Sequence, residues 1–272
     1  MKRNYAMILT CALATGVMAQ WQQVGQEGIS STSGGVQVVD GAVYFHSAED
    51  HAVISRSNDA GATWQTLHFA DAGRSWKYNA YKRTEYINFG GMGNAPHGLY
   101  RRMQLQDAFT DLGRIVTDFD VFDNGRVMAS TGMVGEGSII ISDQFGGSWA
   151  SASPSAGSVN VRMVGRDGQG RALVQSFPNG TADDLDIGLF RSSDQGDSWE
   201  RINGIRFDLT GASSNADHTI YSSNGLRILR SMNDGEKWTV TSVDFPYAGL
   251  TGSRVFNMGG GHVFFMCSEA GM

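Results

Sequence analysis

The chain has 272 residues, 41% of them hydrophobic, and it contains 36 glycines but only 4 prolines. This composition is typical of a soluble domain with many short strands and tight turns, and the length is compatible with a single all-β domain. The formal net charge is −6 and no run of basic residues occurs, which argues against nucleic acids and anionic membrane surfaces as partners.

The N-terminus has the pattern of a signal peptide. Lys2 and Arg3 precede an apolar run at 6–17, and a small-residue cleavage site ends at Ala19. The apolar run is short for a membrane span. We therefore predict cleavage after Ala19, a secreted or periplasmic protein without membrane insertion, and one domain over residues 20–272.

Short apolar strands then alternate with polar or glycine turns. The first unit has predicted strands at 35–39, 42–46 and 52–56, and its fourth strand begins at Trp64. Later units open with predicted first strands at 114–119, 159–163, 206–209 and 253–257. Units of four strands and about 40 residues are typical of the blades of a β-propeller.

An eight-residue motif, S-x-[D/N/Q]-x-G-x-x-W, precedes the fourth strand in four units. The copies are Ser57–Trp64, Ser142–Trp149, Ser192–Trp199 and Ser231–Trp238. The polar side chain can hydrogen-bond nearby backbone, glycine tolerates a positive φ, and tryptophan buries a large ring. The motif therefore predicts a rigid hairpin turn with structural residues. These are Ser57, Asp59, Gly61, Trp64, Ser142, Gly146, Trp149, Ser192, Asp194, Gly196, Trp199, Ser231, Asn233, Gly235 and Trp238.

The spacing of the copies predicts six blades. The long interval between the first two copies has room for a degenerate copy, with Phe109 in the tryptophan position. The last blade has two predicted strands, at 253–257 and 262–266, and lacks a recognisable third strand and turn. Trp21–Val24 resembles the fourth strands, so we expect it to close that blade and remove a free sheet edge.

The motif resembles the Asp-box, or bacterial neuraminidase repeat, of sialidase-like β-propellers. The copies beginning at Ser57 and Ser192 match it fully. The resemblance implies a propeller with these turns on its outer rim and ligand sites near its axis. It implies less about function, because Asp-boxes occur in sialidases, xyloglucan-cleaving enzymes, sortilin-type receptors and photosystem assembly factors.

The resemblance also implies what a working sialidase would contain. That family uses three arginines, an Arg-Ile-Pro motif, a tyrosine nucleophile paired with a glutamate, and an aspartate acid/base. The sequence has no Arg-Ile-Pro motif. Weak catalytic candidates are Glu85, Tyr86, Asp118 and Asp120. Adjacent strand residues point to opposite faces, so Tyr86 is better interpreted as a packed aromatic, whereas Asp118 and Asp120 alternate to one face.

A basic and aromatic segment in the second unit is the best candidate for ligand binding. Its candidate residues are Arg74, Trp76, Tyr78, Tyr81 and Arg83. Aromatic faces stack on sugars or cations, and arginine binds carboxylates. Trp76 and Tyr78 alternate to one face of a first strand. The alternative is that these aromatics pack between blades.

The sequence favours a secreted, monomeric and non-catalytic propeller that binds a carbohydrate or a protein at its central face. Two alternatives remain open: a sialidase-like glycoside hydrolase with a diverged site, and a periplasmic assembly or scaffold factor. No metal-ligand spacing or cofactor motif is present, so we expect no metal and no cofactor.

Overall fold

The regular structure of the chain is strand. A computed structural model describes residues 8–10, 22–24, 35–39, 42–46, 53–59, 62–68, 75–82, 84–90, 97–103, 108–131, 138–154, 159–178, 187–203, 209, 213–214, 218–223, 228–241, 250–259 and 262–269. Within these ranges the secondary structure consists of β-strands and turns, and no helix there is long and apolar enough to span a bilayer.

Two short strands come first. Strands β1 (Ile8–Thr10) and β2 (Gln22–Val24) pair antiparallel, with Ile8 opposite Val24. Strand β1 falls inside the predicted signal peptide, and β2 falls inside the segment that we expected to close the last blade.

Most of the remaining strands form four-stranded antiparallel sheets in chain order. The first contains β3 (Gly35–Val39), β4 (Ala42–His46), β5 (Val53–Ser57) and β6 (Gln65–His68). The second contains β7 (Ser75–Tyr81), β8 (Thr84–Gly90), β9 (His97–Arg102) and β10 (Thr110–Asp111). The third contains β11 (Asp118–Val121), β12 (Val127–Thr131), β13 (Ser138–Ser142) and β14 (Ala150–Ser151). The fourth contains β15 (Val159–Arg166), β16 (Ala172–Pro178), β17 (Gly188–Ser192) and β18 (Glu200–Asn203). The fifth contains β19 (Ser213–Ser214), β20 (Ile220–Ser223), β21 (Ile228–Ser231) and β22 (Thr239–Thr241).

Among the described residues, the last two strands form a two-stranded sheet with each other. They are β23 (Leu250–Gly259) and β24 (His262–Glu269). Strand β1, rather than β2, is the N-terminal strand that lies beside β24. The prediction that Trp21–Val24 itself lies against the last sheet was therefore wrong: β2 pairs with β1, and β1 is the strand beside β24.

The first strands of successive sheets contact one another in a closed series. Strand β3 contacts β7, β7 contacts β11, β11 contacts β15, β15 contacts β19, β19 contacts β23, and β23 contacts β3. Because each sheet meets its neighbours through its first strand, the first strands form the inner ring and the fourth strands lie outermost. This is the radial arrangement expected of a propeller.

The core lies between neighbouring sheets, so a middle strand is buried on both faces. In β12, Val127 and Ala129 pack with Tyr86 of the preceding sheet, whereas Met128 packs with Val161 of the following sheet. All three β12 residues have zero exposure. Successive residues of β12 thus pack into two different cores. This explains why the second strands are nearly continuous apolar runs.

Two first strands differ from the sequence prediction. Strand β11 begins at Asp118 rather than Arg114, because the Arg114 carbonyl accepts the Leu99 N–H of the preceding sheet at 2.8 Å. The first described strand of the fifth sheet is Ser213–Ser214. Of the predicted strand at 206–209, only Leu209 is among the described residues. Leu209 is buried outside any strand, and its N–H donates to Gln175 Oε1 at 2.9 Å. The apolar character of Leu209 therefore reflects burial and does not indicate a strand.

Candidate functional site

The repeat turns are held by their own side chains. In the copy at Ser192, the Ser192 hydroxyl donates to Asp194 Oδ1 at 2.8 Å and accepts the Gly196 N–H at 2.7 Å. Asp194 also accepts the Ser198 N–H, at 2.8 Å, and the Ser198 hydroxyl. Hydrogen bonds from Ser198, chiefly from its hydroxyl, lower the pKa of Asp194 to about 2.

The other copies repeat this geometry with variations. Asp59 accepts the Thr63 N–H and hydroxyl at 2.8 and 2.6 Å, and bonds from Thr63 lower the pKa of Asp59 to about 2. Asn233 accepts the Lys237 N–H at 2.9 Å. In the copy at Ser142, Ser142 Oγ accepts the Gly146 N–H at 2.9 Å, whereas Asp143 pairs with Arg126. Gly61 lies outside the described residues.

The turns of the last three copies also contact the preceding sheet. A Cβ added to Gly146 would lie 2.5 Å from Leu112 Cδ1, and one on Gly196 would lie 2.8 Å from Met128 Cε. Both glycines have positive φ, 90° and 102°. The tryptophans beside these turns, Trp149, Trp199 and Trp238, pack on the cores between sheets. These contacts give the repeat residues a structural role.

Arginines link neighbouring sheets through the same turns. Arg101 Nη1 donates to the Phe145 carbonyl at 2.6 Å, and Arg126 Nη1 donates to the Gln195 carbonyl at 3.1 Å. Phe145 and Gln195 occupy the same motif position, immediately before the glycine, and both have positive φ, 52° and 58°. Sequence reasoning missed these links, although Arg126 follows a turn glycine in the way that Arg171 does.

Asp120, a catalytic candidate, holds three first strands together. Its Oδ1 accepts Asn79 Nδ2 of β7 at 2.8 Å, and its Oδ2 accepts Arg166 Nε of β15 at 2.6 Å. Burial alone would lower the pKa of Arg166, but the charges of Asp120 and Asp123 and the hydrogen bond to Asp120 raise it. Asp118 is half-buried on the same strand, and its Oδ1 accepts the Phe119 N–H at 2.8 Å.

Glu85 and Tyr86 do not form a catalytic pair. The Glu85 carboxylate forms an ion pair with Arg102. Tyr86 has zero exposure and packs against Phe119 at 6.3 Å between ring centroids. Burial raises the pKa of Tyr86 well above its ordinary value, and Arg101 offsets this in part. A fully buried phenol with a raised pKa is unsuited to nucleophilic attack, which supports the interpretation of Tyr86 as a packed aromatic.

The predicted ligand-binding segment is only partly described. Arg74 and Arg83 lie outside the described residues, as do the side chains of Trp76 and Tyr78. The register between β7 and β8 shifts between Ser75 and Lys77. The prediction that Trp76 and Tyr78 share one face concerns these side chains and stays a prediction. Tyr81 is half-buried, and Lys82 Nζ lies 4.8 Å from its ring centroid.

A polar cleft lies where three hairpins of the third and fourth sheets meet. It has a volume of about 200 Å³, and its polar lining includes Asp123, Arg166, Gln169, Arg171, Ser193 and Gln195. The hairpins are β11–β12, β15–β16 and the repeat turn between β17 and β18. All three lie at the ends of the sheets that carry the repeat turns. We define this cavity as the hairpin cleft.

Carboxylates fix both arginines of the hairpin cleft. Arg166 pairs with Asp120, and Arg171 pairs with the buried Asp167 at 2.5 Å and with Asp234 at 3.0 Å. These carboxylates hold each guanidinium in a fixed orientation and offset its positive charge. The cleft thus offers ordered donors and acceptors without a free nucleophile–base pair among its described residues. Across the described residues, no group of three His, Cys, Asp or Glu side chains could hold a metal ion.

Comparison with known proteins supports the fold. No protein-family model and no curated protein matches the chain. Among solved structures, YCF48 bound to D1 peptide is 12% identical, with a TM-score of 0.55 over 99% of this chain and 95% of that chain. A nidogen/laminin complex is 11% identical, with a TM-score of 0.58 over 86% of this chain and 92% of that chain. The GH74 xyloglucanase from Xanthomonas campestris is 13% identical, with a TM-score of 0.52 over 83% of this chain and 42% of the enzyme. These structures are β-propellers, so the chain has a propeller fold.

Proposed function

We propose that this protein is a non-catalytic binding propeller whose ligand is a segment of another protein. The observation that carries the proposal is the hairpin cleft, which is polar, open to solvent and only about 200 Å³ in volume. Pockets for drug-sized molecules occupy roughly 300–1,000 Å³. The hairpin cleft therefore suits one side chain of a larger partner better than a free metabolite.

The catalytic candidates support the same conclusion. Asp120 is committed to Asn79 and Arg166, Glu85 to Arg102, and Tyr86 to the core. A glycosidase needs two carboxyl groups facing one sugar, or a tyrosine that is available as a nucleophile. The observed contacts favour structural roles instead: Asp120 and Tyr86 make contacts between sheets, and Glu85 pairs with Arg102 within the second sheet.

The similar solved structures agree with a protein ligand. One is a propeller bound to a peptide, and another comes from a complex of two proteins. These similarities support the fold. That the ligand of this chain is also a protein is part of the proposal. A scaffold or assembly role would be one form of protein binding.

The number and type of the blades are part of the same proposal. We propose six blades of the Asp-box type, because six first strands contact in series and four turns follow the motif.

We also propose secretion or export to the periplasm with cleavage after Ala19. Mass spectrometry of the exported protein would test this, with an N-terminus at Gln20 as the expected result. A retained N-terminus would contradict it.

The function is tested by applying the purified full chain to a peptide array and to a glycan array. Ser193→Trp places a large ring at the exposed lining of the hairpin cleft, whereas Ser151→Trp places the same ring on the outermost strand β14. We expect wild type and Ser151→Trp to retain the same peptides and Ser193→Trp to bind them at least about tenfold more weakly. Cleaved glycans would contradict the proposal, as would the absence of any retained peptide.

A further inference from the structure

We infer that the hairpin cleft and the carboxylates around it bind a basic segment of the partner, with a lysine or arginine side chain seated in the cleft. The inference rests on the proposed function, because it names the chemistry of the partner at that site. It depends on which charges the surface exposes, how they are paired, and how large the cleft is.

Four exposed aspartates surround the hairpin cleft. We define them as the acidic rim, and they are Asp123, Asp143, Asp194 and Asp197. Asp123 lines the cleft itself, and Asp194 and Asp197 flank its lining residue Gln195. Asp143 and Asp197 both contact Arg126, the latter at 3.0 Å, so all four carboxylates belong to one surface.

The arginines of this region lie beneath the rim. The Arg126 side chain is only 12% exposed, whereas the Asp143 and Asp197 side chains that flank it are 67% and 57% exposed. Arg166 and Arg171, at 24% and 20% exposure, are paired with Asp120, Asp167 and Asp234. An approaching partner therefore meets carboxylates first, and the positive charges behind them are already compensated. We therefore expect a negative potential at the cleft mouth, which would attract cationic groups.

Two carboxylates of the acidic rim, Asp143 and Asp194, have lowered pKa values. Hydrogen bonds from Ser198 hold the pKa of Asp194 at about 2, and the hydrogen bond from Arg126 lowers the pKa of Asp143. Both carboxylates are thus ionised at neutral and mildly acidic pH.

The charged groups that line the cleft are Asp123 and two arginines, Arg166 and Arg171, which already have carboxylate partners. Asp123 offers a carboxylate, and Gln169 and Ser193 offer neutral oxygen acceptors beside it. Among the described residues, no cation lies within ion-pair distance of the Asp123 carboxylate, unlike the carboxylates of Asp143 and Asp197. Asp123 interacts electrostatically with Arg166 from beyond ion-pair distance. An ammonium or guanidinium group entering the cleft would add a cation within ion-pair distance of Asp123 and several hydrogen-bond donors.

The test measures binding of fluorescein-labelled octalysine and octaglutamate to the full chain by fluorescence anisotropy. The variants are Asp123→Lys, at the cleft, and Asp111→Lys, an equal change of charge on the outermost strand β10, where Asp111 is also exposed. We expect octalysine to bind wild type and Asp111→Lys alike, within about twofold, and Asp123→Lys at least about tenfold more weakly. Binding should also weaken as salt rises, because exposed charges are screened.

The inference is overturned if octalysine binds both variants equally, or if octaglutamate binds wild type more tightly than octalysine. Melting temperatures identify any unfolded variant, and Asp123→Asn then replaces Asp123→Lys with a smaller change. The peptide array distinguishes a failure of the basic-segment inference from a failure of the proposed function. Retained peptides that are insensitive to Asp123→Lys would leave the proposed function standing and overturn the basic-segment inference. Retention of no peptide at all would overturn both.

Discussion

Arg166 and Asp120 join two neighbouring sheets across the inner ring. Their Nε and Oδ2 atoms lie 2.6 Å apart, and a second guanidinium nitrogen, Nη2 of Arg166, donates to the Val121 carbonyl at 2.6 Å. The guanidinium also lies 4.3 Å from the centroid of the Phe122 ring. One arginine on β15 thus contacts a carboxylate, a carbonyl and an aromatic ring of the β11 region, which makes it a strong determinant of how the third and fourth sheets pack.

Replacing Arg166 by methionine should destabilise the fold. Arg166→Met leaves Asp120, whose side chain is only 16% exposed, without its ion-pair partner. We expect the free energy of unfolding in urea to fall by about 2 kcal/mol, reduced from the cost in a fully buried site by partial solvation. The exposed Arg114→Met is the control and should change little. Adding Asp120→Asn should recover part of the loss, and an additive double mutant would contradict this account.

Gly196 should tolerate alanine less well than Gly113. Both have positive φ, 102° and 64°, but a Cβ at Gly196 meets Met128 at 2.8 Å whereas one at Gly113 meets nothing within 4 Å. The backbone cost is about 1 kcal/mol at Gly113, whose φ lies in the left-handed region, and higher at Gly196, whose φ lies beyond it. The Gly196 site adds steric strain. Urea unfolding of Gly196→Ala and Gly113→Ala should therefore show a larger loss for the first. Equal losses would mean that the turn does not dock tightly on the preceding sheet.

The Asp194 turn should lose stability in acid. Its pKa in the folded protein is about 2, below the ordinary value of about 3.9, so ionisation favours the folded state. This contribution is complete above about pH 5 and disappears as the pH falls through about 2. Asp194→Asn should remove the pH dependence while keeping the turn, because Asn233 makes the equivalent bonds in the fourth copy.

Urea unfolding of wild type and Asp194→Asn at pH 6 and pH 3 provides the measurement for this turn. The difference in stability between the two proteins should be larger at pH 6 than at pH 3. Asp59 titrates similarly in both proteins and cancels in that difference. A difference independent of pH would show that the charge of Asp194 does not stabilise the turn.

Tyr86→Phe should be neutral or stabilising. The Tyr86 hydroxyl is buried and has no hydrogen-bond partner among the described residues. Removing an unsatisfied hydroxyl while keeping the ring avoids a desolvation cost of about 1–3 kcal/mol. Tyr86→Ala, which also removes the ring, should lose about 3–5 kcal/mol. A marked loss of stability or binding in Tyr86→Phe would indicate a role for the hydroxyl that this packing does not explain.

The repeat turns were predictable from sequence because their bonds are local. The side chains of Ser192, Asp194 and Ser198 close a ring of hydrogen bonds that spans only seven residues. The register of apolar strands likewise follows from a period that repeats along the chain. Even the degenerate copy was detectable, since β10 (Thr110–Asp111) directly follows Phe109 and pairs with β9.

The candidate site was much less predictable, because it depends on contacts between distant residues. The Asp120–Arg166 ion pair joins positions 46 apart, and the bond from Arg126 to Gln195 joins positions 69 apart. No local spacing encodes such pairs. The prediction for Trp76 and Tyr78 assumed an uninterrupted strand, and the register shift at that point is a feature of pairing with β8.

The sequence alone determined the all-β class, the repeat turns and the acidic character of the chain, since these follow from composition and from interactions within a few residues. The tertiary structure decided which aspartates are exposed and which are paired. It places Arg126 beneath Asp143 and Asp197 and assigns Asp120 to a bridge between sheets. Acidic residues are distributed along the whole sequence. In the fold, residues from different sheets lie close together, and burial and ion pairing leave some aspartates exposed as the acidic rim.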